Sequence, residues 1–272
     1  MSDAALTPDE VPDKPEIGHP VGQPVRPSGG VAGGTSQPPV IGHEHPDVSS
    51  GWLRPAVFGA MDGLVSNLAL IAGMAGGTAT AGAGTTAVVL AGVAGLAGGA
   101  FSMAAGEFTS VASQAEYAEA EVAKERQEIL ANPSAETAEL VAIYVEKGID
   151  PQTAHRMAQE IHRDIDRAVA VHAMEEFGVD PDSVPSPVVA AVWSFGAFVV
   201  GAAVPLAPYL FGVSHLWVSI VLTLAALFAC GAAVAKVTVR SWWWSGLRQM
   251  LIGGAAAAVT YALGSLVGVG LG

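Results

Sequence analysis

The chain has a single cysteine, Cys230, among its 272 residues, which excludes an intrachain disulfide framework. Cys230 lies in an apolar run and reads as a small packing residue. Charge is scarce at 14%, and basic charge scarcer: 12 Lys and Arg stand against 25 Asp and Glu, a net charge of -13. That balance argues against a nucleic-acid partner. No CxxC pair, HExxH, nucleophile elbow or glycine-rich loop with lysine occurs, so no catalytic residues are assigned and the chain does not read as an enzyme. The first fifty residues lack a basic stretch followed by an apolar one, so no signal peptide is expected.

What the chain has is apolar length. Hydrophobic residues make up 51% and mean hydropathy is +0.45, the composition of a membrane protein. About twenty apolar residues span a bilayer as a helix, and five stretches qualify: about 55–76, 85–106, 187–211, 216–235 and 249–271. All are rich in Gly and Ala, which permit close helix approach in lipid. Gly59-x-x-x-Gly63 is one such spacing, although a Gly-rich chain produces it by chance as well. Arg54, Lys124, Arg126, Lys236, Arg240 and Arg248 flank alternate connections, and Trp242, Trp243 and Trp244 are expected as interfacial anchors beside the turn between the last two spans. The positive-inside rule then makes the N-terminus and the segment after the second span cytoplasmic, and the C-terminus external.

The expected fold is all-α: residues 1–50 a disordered tail, 51–111 the first two spans, 112–182 a cytoplasmic acidic helical insertion, and 183–272 the last three spans. The tail is Pro- and Gly-rich without apolar period; its His43 and His45 read as solvated. The segment from Ala112 to Asp182 holds 16 of the 25 acidic residues against 6 Lys or Arg. The second span continues out of the membrane, with no Gly or Pro from Glu107 to Leu130, until Asn132-Pro133 breaks it. A further helix closes at Gly148, and another, straight or bent, runs from Pro151 to Gly178.

Asp62 is the one charge inside the first span. It lies ~12 Å beyond Arg54 at 1.5 Å per residue, and insertion scales put a carboxylate at that depth at ~2.5 kcal/mol or more. It reads as a cation ligand or proton carrier, or as a hydrogen-bonded structural acid. Met103 and Glu107, four residues apart, share one helix face. With Asp62 they suit a borderline ion such as Fe2+ or Mn2+ better than Ca2+ or Mg2+; on spacing alone, Met103 reads as core filler more often than as a ligand, and Glu107 equally as an interfacial residue. Glu121, Glu125 and Glu128 line one face of the next helix stretch, and Glu136 and Glu139 a face of the one after. Folded together they are a metal site, or else a solvated acidic surface. His172, Met174, Glu175 and Glu176 add imidazole, thioether and carboxylates within about one turn. His155 and His162 are expected at the surface. The paired Glu-x-x-His motifs of di-iron oxidases are missing.

Three stretches carry a resemblance. LRPAVFGAMDGLVSNLALIAGMAG resembles the first-helix signature of the vacuolar iron transporter family, FGANDGLVSN, with Met61 in place of its Asn. AGLAGGAFSMAAGEFTSVASQAE resembles the second-helix signature SMAxGEFxSVxSQ, and PSPVVAAVWSFGAFVVGAAVPLAPYL the third-helix segment. The resemblance covers the chain from Trp52 onward. It implies a homodimer of five-helix protomers that exports Fe2+, often Mn2+, from the cytosol in exchange for protons, with Co2+ and Zn2+ as further candidates. Asp62 and Met103 correspond to its pathway ligands. The cytoplasmic insertion corresponds to its metal-binding domain, with ligands at Glu125, Glu128, Glu136 and Glu139 and near His172 to Glu176, where the plant form carries methionines. The alternative is a metal-gated sensor or channel with the acidic helices as switch. The Ala, Gly and Pro content points to a bacterial chain, and so to the plasma membrane.

Overall fold

A computed structural model describes residues 51–81, 84–238 and 240–271. The expected disordered tail, with His43 and His45, lies outside them. The described residues form eight α-helices and no strand: α1 (Leu53–Ala81), α2 (Gly84–Ala131), α3 (Pro133–Glu146), α4 (Pro151–Ile161), α5 (Ile165–His172), α6 (Pro187–Leu210), α7 (Leu216–Thr238) and α8 (Trp242–Leu271). Five of them, α1, α2, α6, α7 and α8, are long and apolar enough to cross a membrane.

Two boundaries differ from expectation. Helix α1 runs on to Ala81, and within it the Thr78 hydroxyl donates to the Met74 carbonyl (2.8 Å). Helix α8 starts at Trp242, not near Gln249, so the three tryptophans form its first turn and Arg248 lies nearly two turns inside it. All three indoles are more than half exposed, as suits the amphipathic boundary of a bilayer.

Helix α1 is the hub: Leu68, Ile71 and Ala72 on it are fully buried. Its glycines set the approach of α6. A Cβ on Gly59 would stand 2.5 Å from the Ser194 carbonyl oxygen, and one on Gly63 would strike the Phe198 carbonyl. Gly201 on α6 is equally tight against Ala60. The Gly59-x-x-x-Gly63 spacing is therefore a packing seam in which two backbones touch.

Helix α2 has 48 residues, about 72 Å at 1.5 Å per residue, against a hydrocarbon layer of about 30 Å. Its first half is apolar, and its second half carries the acidic sequence without a break. Asn132-Pro133 ends it and opens α3, with Pro at the first helical turn. Helices α3 and α4 pack through Leu140, Tyr144, Ala154 and Ala158. Gly148 turns the chain between them at φ +90°, and the Asp150 side chain caps α4 by accepting from Thr153 N (3.0 Å).

The stretch from Pro151 to Gly178 is two helices. Asp164 accepts from the backbone of Asp166 (3.0 Å) and Arg167 (3.3 Å), capping α5 and separating it from α4. Ile129 of α2 packs against Ala168 and Val169 of α5. Beyond His172 the chain widens into one π-helical turn, Ala173–Phe177, closed by Gly178 at φ 67°.

Candidate functional site

Two groups of functional side chains emerge, one among the membrane-length helices and one on the helices between α2 and α6. In the first, Asp62 and Ser66 on α1, one turn apart, face Met103 and Glu107 on α2 across an open cavity of about 500 Å³ that Phe58 and Asn67 also line. All three residues singled out for an ion pathway border this one space. The Ser66 hydroxyl donates to the Asp62 carbonyl (2.6 Å), which leaves the Asp62 carboxylate to the cavity. Glu107 lies 3.6 Å from the Arg54 guanidinium, which is itself largely exposed, and its Oε1 is buried without a hydrogen-bond partner.

Sequence reasoning passed over Asn67. It is 2% exposed, and its amide donates to the Ala202 carbonyl (2.6 Å), fixing the side chain. Its Oδ1 remains buried without a partner, a bare carbonyl on the wall of an acidic cavity. The signal was an asparagine in an apolar helix, five residues after Asp62, within the quoted motif.

In the second group, Glu125 of α2, His172 at the end of α5 and Glu176 in the π turn bring one ligand atom each within 4.8 Å of one another. His172 Nδ1 lies 2.7 Å from Glu176 Oε1 and 3.2 Å from Glu125 Oε1. His172 is fully buried and Glu125 is 2% exposed, yet Glu125 Oε1 and His172 Nε2 lack hydrogen-bond partners. Burial pushes the Glu125 carboxyl up to about 7; Glu176 adds to this, His172 opposes it, and Glu136 and Glu128 add smaller repulsions. Glu136 is raised too, by burial first and then by Glu139, with His172 again opposing. Glu125 and Glu176 thus flank one imidazole with Glu136 near enough to feel it, and each like charge disfavours ionisation of its neighbours. A divalent cation would relieve that repulsion and satisfy the bare Glu125 oxygen.

The remaining candidates sit around this core. Glu128 is exposed and pairs with Lys124 (3.7 Å). Glu121, one turn earlier on α2, is half-buried and outside the group of three. Met174 is 48% exposed, and Glu175 pairs with Lys147. The π turn keeps Glu176 beside His172 while directing Met174 outward.

One expectation is overturned. His162 is not a surface residue. It ends α4, half-buried, with its ring edge-to-face on His172 at a centroid distance of 5.2 Å. The chain break that Asp164 caps lets α5 return over it, so that His172 covers the ring. His155 is exposed as expected and hydrogen-bonds Gln159 (3.0 Å).

Similarity to known proteins follows the same boundaries. The family model described as the VIT family matches residues 53–265. A vacuolar iron transporter of Acanthamoeba castellanii is 35% identical over 171 residues, 62% of this chain and 60% of that protein. Vacuolar iron transporter 1 of Oryza sativa subsp. japonica is 29% identical over 231 residues, 83% of this chain and 90% of that protein. Vacuolar iron transporter 1 of Arabidopsis thaliana is 29% identical over 218 residues, 79% of this chain and 86% of that protein. The match runs from the first residue of α1 into α8 and takes in both side-chain groups: this chain belongs to the VIT family.

Proposed function

We propose that the protein exports Fe2+ and Mn2+ from the cytosol in exchange for protons, as a homodimer in which the acidic helices collect the ion and the Asp62 cavity passes it on. The observation that carries this reading is the convergence of Asp62, Met103 and Glu107 on one cavity. Two carboxylates and a thioether form a donor set for borderline divalent ions. The names of the relatives support iron as the cargo.

The basic residues Arg54, Lys124, Arg126, Lys236, Arg240 and Arg248 support a cytosolic position for the start of α1, for α3–α5 and for the α7–α8 turn. On that side, the cluster of Glu125, Glu128, Glu136, Glu139, His172 and Glu176 raises the local cation concentration on the cytosolic approach to the cavity. A carboxylate holds either a proton or a metal ion, so protons entering Asp62 from an acidic outer compartment displace the ion outward. Phe58 and Leu70 line the cavity yet are 60% and 38% exposed. A second copy across this face would shield Asp62 from lipid, where an unpaired carboxylate is costly.

The test is Fe2+ and Mn2+ uptake into proteoliposomes with an acidic lumen. Uptake should need the pH gradient and fall by roughly two orders of magnitude or more in Asp62→Asn, as expected when a transition-coupled charge is removed, with the dimer intact by size exclusion. Equal uptake in the variant removes Asp62 from the pathway. A second reading, a metal-gated channel, draws on the buried cluster lying on the same helix as the cavity. It predicts that metal stimulates flux of a different ion.

A further inference from the structure

We propose that the cavity between the α7–α8 turn and α1 binds the phosphate of an anionic phospholipid headgroup, held by Arg240 and Arg248.

The first observation is the charge of the cavity. It measures about 260 Å³, and half of the eight residues that line it are polar: Arg240, Ser245, Arg248 and Gln249. None is acidic. Among the described residues neither arginine pairs with a carboxylate, in a chain that has 25 acidic residues to 12 basic ones. Two guanidiniums bordering one small space repel each other unless an anion stands between them. The guanidinium fork matches phosphate oxygens two at a time, so phosphate is the anion such a pair suits.

The second observation is where the cavity lies. The backbones of α7 and α8 touch at its wall: a Cβ on Gly231 would stand 2.5 Å from the Ser245 carbonyl oxygen. Met61 of α1 lines it as well. Arg248 is about 9 Å along α8 from Trp242, where the exposed indoles mark the bilayer boundary. One turn beyond Arg248, Leu251 and Ile252 are more than half exposed on the same side of the helix. A polar cavity thus continues into bare apolar helix surface, which is where the acyl chains of a bound lipid lie. Snorkelling accounts for Arg248 alone, by carrying its charge to headgroup level. It gives no reason for a second guanidinium on the same cavity.

The chemistry also selects among lipids. A zwitterionic headgroup brings an ammonium that no carboxylate in this cavity receives, whereas phosphatidylglycerol brings a phosphate without one. Basic pockets between membrane helices take anionic headgroups in this way. Met61 and Asp62 are consecutive on α1, so this cavity and the ion cavity lie on adjoining faces of that helix. A bound phosphate offsets the charge of both arginines one helix away from Asp62.

The test uses the full chain in detergent. Native mass spectrometry counts bound lipid with phosphatidylglycerol or phosphatidylcholine added, and thermal unfolding is followed with either lipid or with inorganic phosphate. The parent should retain phosphatidylglycerol about tenfold or more over phosphatidylcholine, and Arg240→Gln and Arg248→Gln should each cut that preference roughly fivefold. Arg240 lies outside both helices, so its variant keeps them intact. Lys236→Gln, at an exposed basic residue of the same turn that does not line the cavity, should match the parent. A preference unchanged in both arginine variants overturns the site. An equal fall in Lys236→Gln marks diffuse surface charge and overturns it too. Stabilisation by inorganic phosphate equal to that by phosphatidylglycerol, lost in the same variants, assigns the cavity to a free anion and overturns the lipid.

Discussion

In the membrane cavity, Asp62, Met103 and Glu107 stand on straight stretches of two helices around an open space of about 500 Å³. In the cluster beyond it, Glu125 and His172 are 2% and 0% exposed, and with Glu176 they bring three ligand atoms within 4.8 Å. Regular helices suffice for the first, because residues one turn apart already share a face. The second needs irregularity: a helix end at His172 and a π turn holding Glu176. An arrangement of spread ligands lets an ion enter and leave. One of converged, desolvated ligands selects and holds it. The difference teaches that the chain concentrates its departures from helical regularity where its buried titratable groups converge.

The comparison is broken most severely by crossing two charge-neutral variants. Asp62→Asn should abolish uptake and leave Mn2+ binding in detergent largely intact. Glu125→Gln should do the reverse, weakening binding by about tenfold to a hundredfold while uptake persists at high external metal. Calorimetry and liposome flux on the same preparations check this. Equal loss of both readouts in both variants would merge the two sites into one.

Acidification should separate them more gently. The Glu125 carboxyl is pushed up to about 7, from an ordinary 4.5. Below that value the folded protein holds a proton there that a metal ion must displace. Affinity at the cluster should therefore fall as the pH drops from about 8 to about 6, with about half a proton released per ion bound at pH 7 and close to one near pH 6. Calorimetry in buffers of differing ionisation enthalpy counts that proton. Without metal the sign is opposite. Between 4.5 and 7 the folded state binds the proton more tightly than the unfolded one, so this group favours folding as the pH falls through that window and opposes it above.

The smallest effect belongs to Met103→Leu, which keeps the apolar volume and removes the sulfur. Uptake of Fe2+ should fall several-fold, and that of Mn2+, the harder ion, less. A competition flux assay with both ions reads the ratio; an unchanged ratio returns Met103 to the packing of the cavity wall.

Much of this was legible in the sequence because membranes make simple demands. An isolated charge in an apolar run exposed Asp62, and Asn132-Pro133 and Gly148 marked breaks that the fold keeps. The start of α8 was not legible, because a tryptophan triplet near three basic residues reads the same way in a turn as in a first helical turn. His162 was hidden for a physical reason. On an unbroken helix from Pro151 to Gly178 nothing would fold back over it, and only the break capped by Asp164 lets His172 cover it. The choice among Glu121, Glu125, Glu128, Glu136 and Glu139 depended on how α5 docks on α2, which spacing along the chain does not encode. Asn67 was readable as polar, but its bare carbonyl is visible only once Ala202 has claimed the amide.

The unbroken course of α2 makes the two sites a single mechanical phase. Met103 and Glu125 are separated by 22 residues, about 33 Å along the axis and, at about 100° per residue, only about 40° apart in azimuth. No joint on that helix allows one to turn without the other. An alanine inserted between them would advance Glu125 by about 1.5 Å and swing it through about 100°, carrying α5 and its histidine to a different side of the shaft. Where the proposed collecting site would present its ion is therefore set by the count of residues along α2, as the pitch of a screw sets where its slot comes to rest.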